Sequence, residues 1–294
     1  MFRSFFVIMA IGLIFGCRNS NNSAMTTQTK KQDVTTSDYA SVNGLKMYYE
    51  IHGSGFPLVL IHGGGSTIQT TFGRVIDSFA RNHRVIAVEM QAHGHTADID
   101  RPLSFEQDAD DIAELLKQLK IPKADIFGFS NGASTTLQMA IRHPELVNKI
   151  VVASTMSKRS GTYLWFWDMM KNASFEQMPQ LLKEGYLKIN PDSNALYRMY
   201  ERDVARMQSF KDISDDDIRS IKAPAFIIAG EKDVPSPEHA VEMHRLISNS
   251  RLVILPGGHG EYIGEITTPQ DPILINATVS MIEKFLSEPL PKSN

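Results

Sequence analysis

Ala124-Asp125-Ile126-Phe127-Gly128-Phe129-Ser130-Asn131-Gly132 is the stretch on which the reading of this chain turns. Residues 124–127 form a short strand-like run. Residues 128–132 have the spacing G-x-S-x-G. Ala133, Leu137, Ala140 and Ile141 then recur at helical spacing until Pro144 ends the pattern. A serine between two such elements, with glycine on either side, sits in a strained strand-to-helix turn where its hydroxyl projects from the backbone.

Working outward, runs of the same kind recur at 58–61, 85–88, 150–153, 225–228 and 252–255. Short apolar runs suit strands buried on both faces of a parallel sheet. Residues 45–51 add a further strand before the turn signal His52-Gly53-Ser54-Gly55. Helical patterns separate the runs. The clearest spans 104–119, where Ser104 and Gln107 are spaced as a capping box and Phe105, Ala109, Ile112, Leu115, Leu116 and Leu119 share one stripe. Strands alternating with helices predict an α/β fold with a mostly parallel sheet and flanking helices. Residues 155–220 break the alternation. They are rich in Trp, Phe, Tyr and Met and read as a helical insertion between two strands. Its Trp165 and Trp167 are expected to shape an apolar acyl pocket.

Two further motifs follow strand-like runs in chain order. Asp233 lies in Gly230-Glu231-Lys232-Asp233, and His259 lies in Gly257-Gly258-His259-Gly260. Ligand sites of open α/β sheets lie at the carboxyl ends of the strands, so Ser130, Asp233 and His259 are expected to converge. Serine is a poor nucleophile until a base takes its proton. Histidine can do that near neutrality, and a carboxylate on its other nitrogen fixes the tautomer. Glu231 is the competing acid.

On these residues the chain resembles the α/β-hydrolase superfamily over about residues 40–287, with the insertion at the place of the family's cap. His62-Gly63-Gly64-Gly65 is similar to the family's oxyanion loop, and His93-Gly94-His95-Thr96 to its G-H-G-x-[ST] segment. The resemblance implies Ser130 as nucleophile, His259 as base, Asp233 as acid, and the amides of Gly64 and Asn131 as the oxyanion hole. Within the superfamily the chain looks most like small single-domain esterases and carbon–carbon hydrolases grouped with pimeloyl-ACP methyl ester esterase, with a helical cap. That implies cleavage of a small or medium apolar carboxylic ester through an acyl-enzyme. Lactone, thioester or carbon–carbon bond hydrolysis would use the same triad, and a binding protein of this fold with poor turnover is the remaining alternative. An Asp nucleophile would have indicated epoxide or haloalkane chemistry, but Ser130 stands in that place.

No cofactor or metal is expected. The side chain of His62 reads as structural. His93 and His95 lack a nearby carboxylate or cysteine and read as turn residues. Asp215, Asp216 and Asp217 after Ser214 read as the first turn of a capped helix. With 42% hydrophobic residues, 21% charged and a net charge of −3, the 294-residue chain can bury a core but gives no basis for nucleic-acid binding.

The N-terminus carries a separate message. Arg3 precedes an apolar run of 11 residues, Phe5 to Phe15, too short to span a bilayer as a helix, which takes about 20, but suited to an export signal. Ile14-Phe15-Gly16-Cys17 resembles the lipobox of bacterial lipoproteins, and Cys17 is the sole cysteine. The reading is a signal peptide over 1–16, lipidation of Cys17, a polar tether over 17–37 and a hydrolase domain over 38–294. The protein would then be exported and lipid-anchored to a membrane of the bacterial cell envelope.

Overall fold

Alternating side chains of short strands explain why one sheet carries two cores. In the computed structural model, which describes residues 36–290, the strands are β1 (Thr36–Val42), β2 (Leu45–His52), β3 (Phe56–Ile61), β4 (His83–Val88), β5 (Ala124–Phe129), β6 (Val147–Ala153), β7 (Ala225–Gly230) and β8 (Ser250–Leu255). Their order in space is β1-β2-β4-β3-β5-β6-β7-β8. β1 and β2 form an antiparallel hairpin, β2 pairs antiparallel with β4, and all later pairings are parallel. Cys17 and the segments assigned to signal and tether lie outside the described residues, except that β1 starts at Thr36. β1 therefore takes in Thr36 and Ser37, the last two residues of the segment assigned to the tether. Thr36, Ser37 and Asp38 are exposed and gave no apolar signal, yet each pairs with β2.

Val59, Ile61, Ile86, Val88, Ile126, Val152 and Ile227 point to one face of the sheet. There they meet α3 (Phe105–Gln118), α4 (Asn131–Arg142) and α9 (Pro237–Leu246). Leu58, Leu60, Val85, Ala87, Phe127, Val151 and Ile228 point to the other, against α1 (Ile68–Phe72), α2 (Ile76–Phe79) and α10 (Pro272–Ser287). Each fully buried large aliphatic side chain contributes about 1.5–3 kcal/mol, so the two layers fix the sheet between its helices. β8 departs from the expected pattern. It is an edge strand with β7 as its partner, and Ile254 is 41% exposed.

The helix expected at 104–119 is α3. Ser104 accepts a hydrogen bond from Gln107 N at 3.1 Å, but the Gln107 side chain donates to Asp111 and does not return to Ser104. Half of the expected capping box is present. The other half serves the buried Arg101–Asp111 ion pair, which needs every donor it can recruit.

After β6 come α5 (Leu164–Lys171), α6 (Gln180–Ile189), α7 (Ser193–Gln208) and α8 (Asp215–Ser220). α5 to α7 form the inserted cap. α8 belongs elsewhere: Ile213, Ile218 and Ile221 sit in the main sheet core with Leu137 and Met139. The cap is therefore shorter than the 155–220 expected. Buried isoleucines at the end of the segment return the chain to the sheet. Ser214 caps α8 through Asp217 N at 3.1 Å, as its sequence implies.

Candidate active site

Ser130 joins the end of β5 to the start of α4 with φ 54° and ψ −120°, a strained conformation for a residue with a Cβ. Close packing holds it there. A Cβ on Gly128 would lie 2.1 Å from the Gly132 carbonyl oxygen, and one on Gly132 would lie 2.1 Å from the Ile61 carbonyl oxygen. The turn can approach β3 only because both positions are glycine.

His259 follows β8 on a glycine-rich loop, its ring tilted against Phe129 with 4.8 Å between centroids. Its Nε2 is 3.0 Å from Ser130 Oγ, and its Nδ1 is 2.6 Å from Asp233 Oδ1. The Asp233 carboxylate can only accept, so Nδ1 carries the hydrogen and Nε2 is left to accept from the serine hydroxyl. Glu231 is more than half exposed and pairs with Lys232 at 3.5 Å; the structure gives it no bond to His259.

Asp233 is buried and well supplied with donors. Oδ2 accepts from Gly230 N at 2.9 Å and from Ser154 Oγ, and Oδ1 accepts from Val234 N at 2.7 Å. Burial alone would raise its pKa, but the neighbouring His259 and these donors hold it below the ordinary carboxylate range. Ser154, a second non-glycine at positive φ (55°), also meets the buried Tyr262 hydroxyl at 2.6 Å. Neither Ser154 nor Tyr262 was apparent from sequence, because each belongs to the site only through Asp233.

Above these groups lies a cavity of about 400 Å³ between sheet and cap. Its apolar wall includes Met156, Phe166, Met170, Met178, Leu182 and Met207. The tryptophans expected there are elsewhere. Trp165 is 53% exposed, and Trp167 lies under Arg159, 3.7 Å from guanidinium to ring centroid, and donates to its carbonyl at 2.8 Å. Neither lines the cavity, because α5 turns Phe166 and not its two neighbours inward.

The fold and this arrangement have known counterparts. A model of the α/β hydrolase fold matches residues 57–180. Human serine hydrolase BPHL is 30% identical over 239 residues, covering 76% of this chain and 79% of that protein. The chain belongs to the α/β-hydrolase fold family. The 2-hydroxy-6-oxo-6-(2'-aminophenyl)hexa-2,4-dienoic acid hydrolase of Metapseudomonas resinovorans is 26% identical over 284 residues, 90% of this chain and 96% of that one. Among solved structures, the enol-lactonase of Burkholderia xenovorans LB400 superposes with a TM-score of 0.66 at 21% identity, covering 85% of this chain and all of that one. The enzyme is thus a hydrolase of the triad type.

The histidines of this hydrolase divide as their partners dictate. His62 Nδ1 faces the Gly63 carbonyl at 2.7 Å and Nε2 accepts from Met90 N at 3.1 Å, so the ring is neutral and staples the loops after β3 and β4. Burial and the neighbouring His93 push its pKa down to about 3. His95 binds Glu89 at 2.8 Å and stacks on Tyr48. His93 binds Asp203 of α7 at 2.9 Å, so the H-x-H pair serves two separate carboxylates, and no metal-ligand cluster occurs among the described residues.

Burial alone would lower the pKa of His93, but Asp203 outweighs it and raises the pKa above the usual histidine value. A raised folded-state pKa contributes stability that is complete below the unfolded value of about 6.5 and is lost as pH rises through the folded value. The melting temperature of wild type should therefore exceed that of His93→Gln most below about pH 6.5, and the gap should narrow as pH rises above it. A gap that stays constant would show that His93 is not held as a cation.

Proposed function

We propose that this hydrolase opens a neutral, mainly apolar lactone through a Ser130 acyl-enzyme. The observation that carries the reading is the 3.0 Å contact of Ser130 Oγ with His259 Nε2 at the floor of a cavity walled by methionine and phenylalanine. Ser130 Oγ attacks the carbonyl carbon as His259 takes its proton, and Asp233 stabilises the imidazolium. The amides of Gly64 and Asn131 receive the oxyanion. Collapse breaks the acyl–oxygen bond, and His259 returns the proton to the departing alkoxide. His259 then draws a proton from water as the water oxygen attacks the ester carbon. Collapse breaks the acyl–Ser130 bond, His259 returns that proton to Ser130 Oγ, and the ring-opened hydroxy acid leaves.

The cavity lining bears on substrate charge. Asp203 is its one carboxylate and His259 its one imidazole, and neither lysine nor arginine is among the lining residues. No lysine or arginine of that wall can pair with a substrate carboxylate, which favours a neutral ring over an anionic dienoate. Carbon–carbon bond hydrolysis is the second reading, favoured by the dienoic acid hydrolase that aligns along 90% of this chain. A simple linear ester and the pimeloyl-ACP methyl ester esterase group, both expected from the sequence, draw less support, since these relatives act on dienoic acids and enol-lactones by name.

Comparing kcat/KM for γ- and δ-lactones, p-nitrophenyl esters and ring-cleavage dienoates tests the order. Lactones should lead, and a tenfold or greater lead for either other class would overturn it. Chain-length preference should follow the cavity wall. Each methylene buried is worth about 0.8 kcal/mol, or about fourfold. Phe166→Ala or Met207→Ala should shift the preferred acyl length, while Trp165→Ala should not.

Export and anchoring belong to the same proposal and rest on Arg3, the apolar run Phe5 to Phe15 and Cys17. Among the described residues no helix is long and apolar enough to cross a membrane. Full-length protein expressed in bacteria should partition into detergent, and Cys17→Ser should not. Equal partitioning would remove the anchor from the account.

A further inference from the structure

One carboxylate of the cap reaches the floor of the site. Asp203 lies in α7, buried to 8% exposure, and Oδ2 accepts from Gly65 N at 2.5 Å although 138 residues separate the two. The same oxygen meets His93 Nε2 at 2.9 Å. Oδ1 accepts from Arg206 at 2.5 Å, and the other arm of Arg206 reaches Asp108 of α3 at 2.8 Å. A Cβ built on Gly64 would stand 2.4 Å from Asn131 Nδ2 and 3.2 Å from Asp203 Oδ2. The carboxylate thus lies against the peptide whose N–H is assigned to the oxyanion, while its hydrogen bonds run to none of the triad side chains.

The loop has need of such a partner. Three consecutive glycines, Gly63 to Gly65, have no side chains to pack and lose the most conformational freedom on ordering. Gly65 holds φ 65°, one of many conformations open to it. On one side His62 Nδ1 fixes the Gly63 carbonyl at 2.7 Å. On the other, Asp203 is the side chain bonded to the Gly65 amide. Gly64 is bracketed by these two contacts.

We propose that Asp203 is the positioning residue of the oxyanion loop, so that the cap aims the Gly64 amide as well as enclosing the substrate. The inference rests on the proposed Ser130 acyl-enzyme, whose oxyanion the Gly64 and Asn131 amides receive. It also accounts for the cations around Asp203. A bare carboxylate beside a developing oxyanion would repel it. His93 faces the Gln91 carbonyl through Nδ1 at 2.9 Å and Asp203 through Nε2, two groups that only accept, so it carries both protons and a positive charge. With Arg206 it offsets the carboxylate while leaving its bond to Gly65 intact. Seating of the cap and ordering of the oxyanion hole are then one event.

The test uses the folded protein, active-site concentration fixed by fluorophosphonate titration, and p-nitrophenyl acetate, whose small acyl group makes few contacts with the cap. Removing an oxyanion donor typically costs 10²–10³ in kcat. Asp203→Ala should therefore lose about 100-fold in kcat, with KM changed less than about threefold. Asp203→Asn keeps one acceptor for Gly65 and should lose about tenfold, again in kcat. A role confined to fold stability would lower the melting temperature and the titratable fraction and leave kcat per titrated site unchanged. That result overturns the proposal, as does a loss carried by KM. If Asp203→Ala does not fold, Asp203→Asn decides alone, and a kcat within twofold of wild type overturns the proposal. Failure of the underlying reading looks different: wild type would then resist the fluorophosphonate, or Ser130→Ala would still turn over.

Discussion

Ser130→Ala and His259→Ala should each lose about 10⁴-fold or more in kcat, and the double variant should be little worse than either alone. The 3.0 Å contact between Ser130 Oγ and His259 Nε2 makes them one device, a hydroxyl and the base that activates it. Once either is gone the other has nothing to act on, so the second loss adds little. Residual turnover then reflects the oxyanion hole and binding. The folding consequences are small. Ser130→Ala removes one oxygen from a side chain open to the cavity, and β5 and α4 around it are fixed by buried Phe127, Ala133 and Leu137. Losses that multiply in the double variant would mean the two side chains do not act together, and near-equal melting temperatures should exclude unfolding as the cause.

The second large effect belongs to Asp233. Asp233→Asn should cost about 10³–10⁴-fold in kcat, whereas Glu231→Gln should stay within about threefold. Asparagine offers one acceptor oxygen and one NH₂ where the aspartate offers two acceptors. The present partners of Oδ1 and Oδ2 include His259 Nδ1, Ser154 Oγ and the amides of Gly230 and Val234. Whichever way the amide turns, its NH₂ meets donors. If it faces His259, it drives the hydrogen to Nε2, where it blocks acceptance from Ser130. Wild-type activity in Asp233→Asn together with an inactive Glu231→Gln would move the acid to Glu231. The exposed ion pair of Glu231 with Lys232 predicts the opposite.

The nucleophile turn, the acid after β7 and the histidine after β8 were legible because each is a local event. A short strand, a glycine-rich turn and a reactive side chain lie within a few residues, and a parallel sheet brings all such ends to one edge. The alternation of β3 to β7 with helices was legible for the same reason. β1 was missed as a strand because its exposed first residues gain their structure only from pairing with β2. The end of the cap was misplaced because Ile218 and Ile221 carry no mark of which core will receive them. Trp165 and Trp167 were assigned to the pocket by composition, and the direction of α5 decided otherwise.

Asp203 and Arg206 show the limit most clearly. Three residues apart on α7, they resemble an ordinary surface pair, and the clue was their place on the buried stripe with Leu196, Met199 and Met207. Sequence alone determined the sheet type and pointed to Ser130, Asp233 and His259, which the structure brings into contact, since both follow from local spacing and chain order. Only the tertiary structure decided the wall of the cavity, the Ser154 and Tyr262 support of Asp233, and the contact of Asp203 with Gly65. Those depend on groups that meet across 79 to 138 residues or on the rotation of a single helix, and local spacing encodes neither.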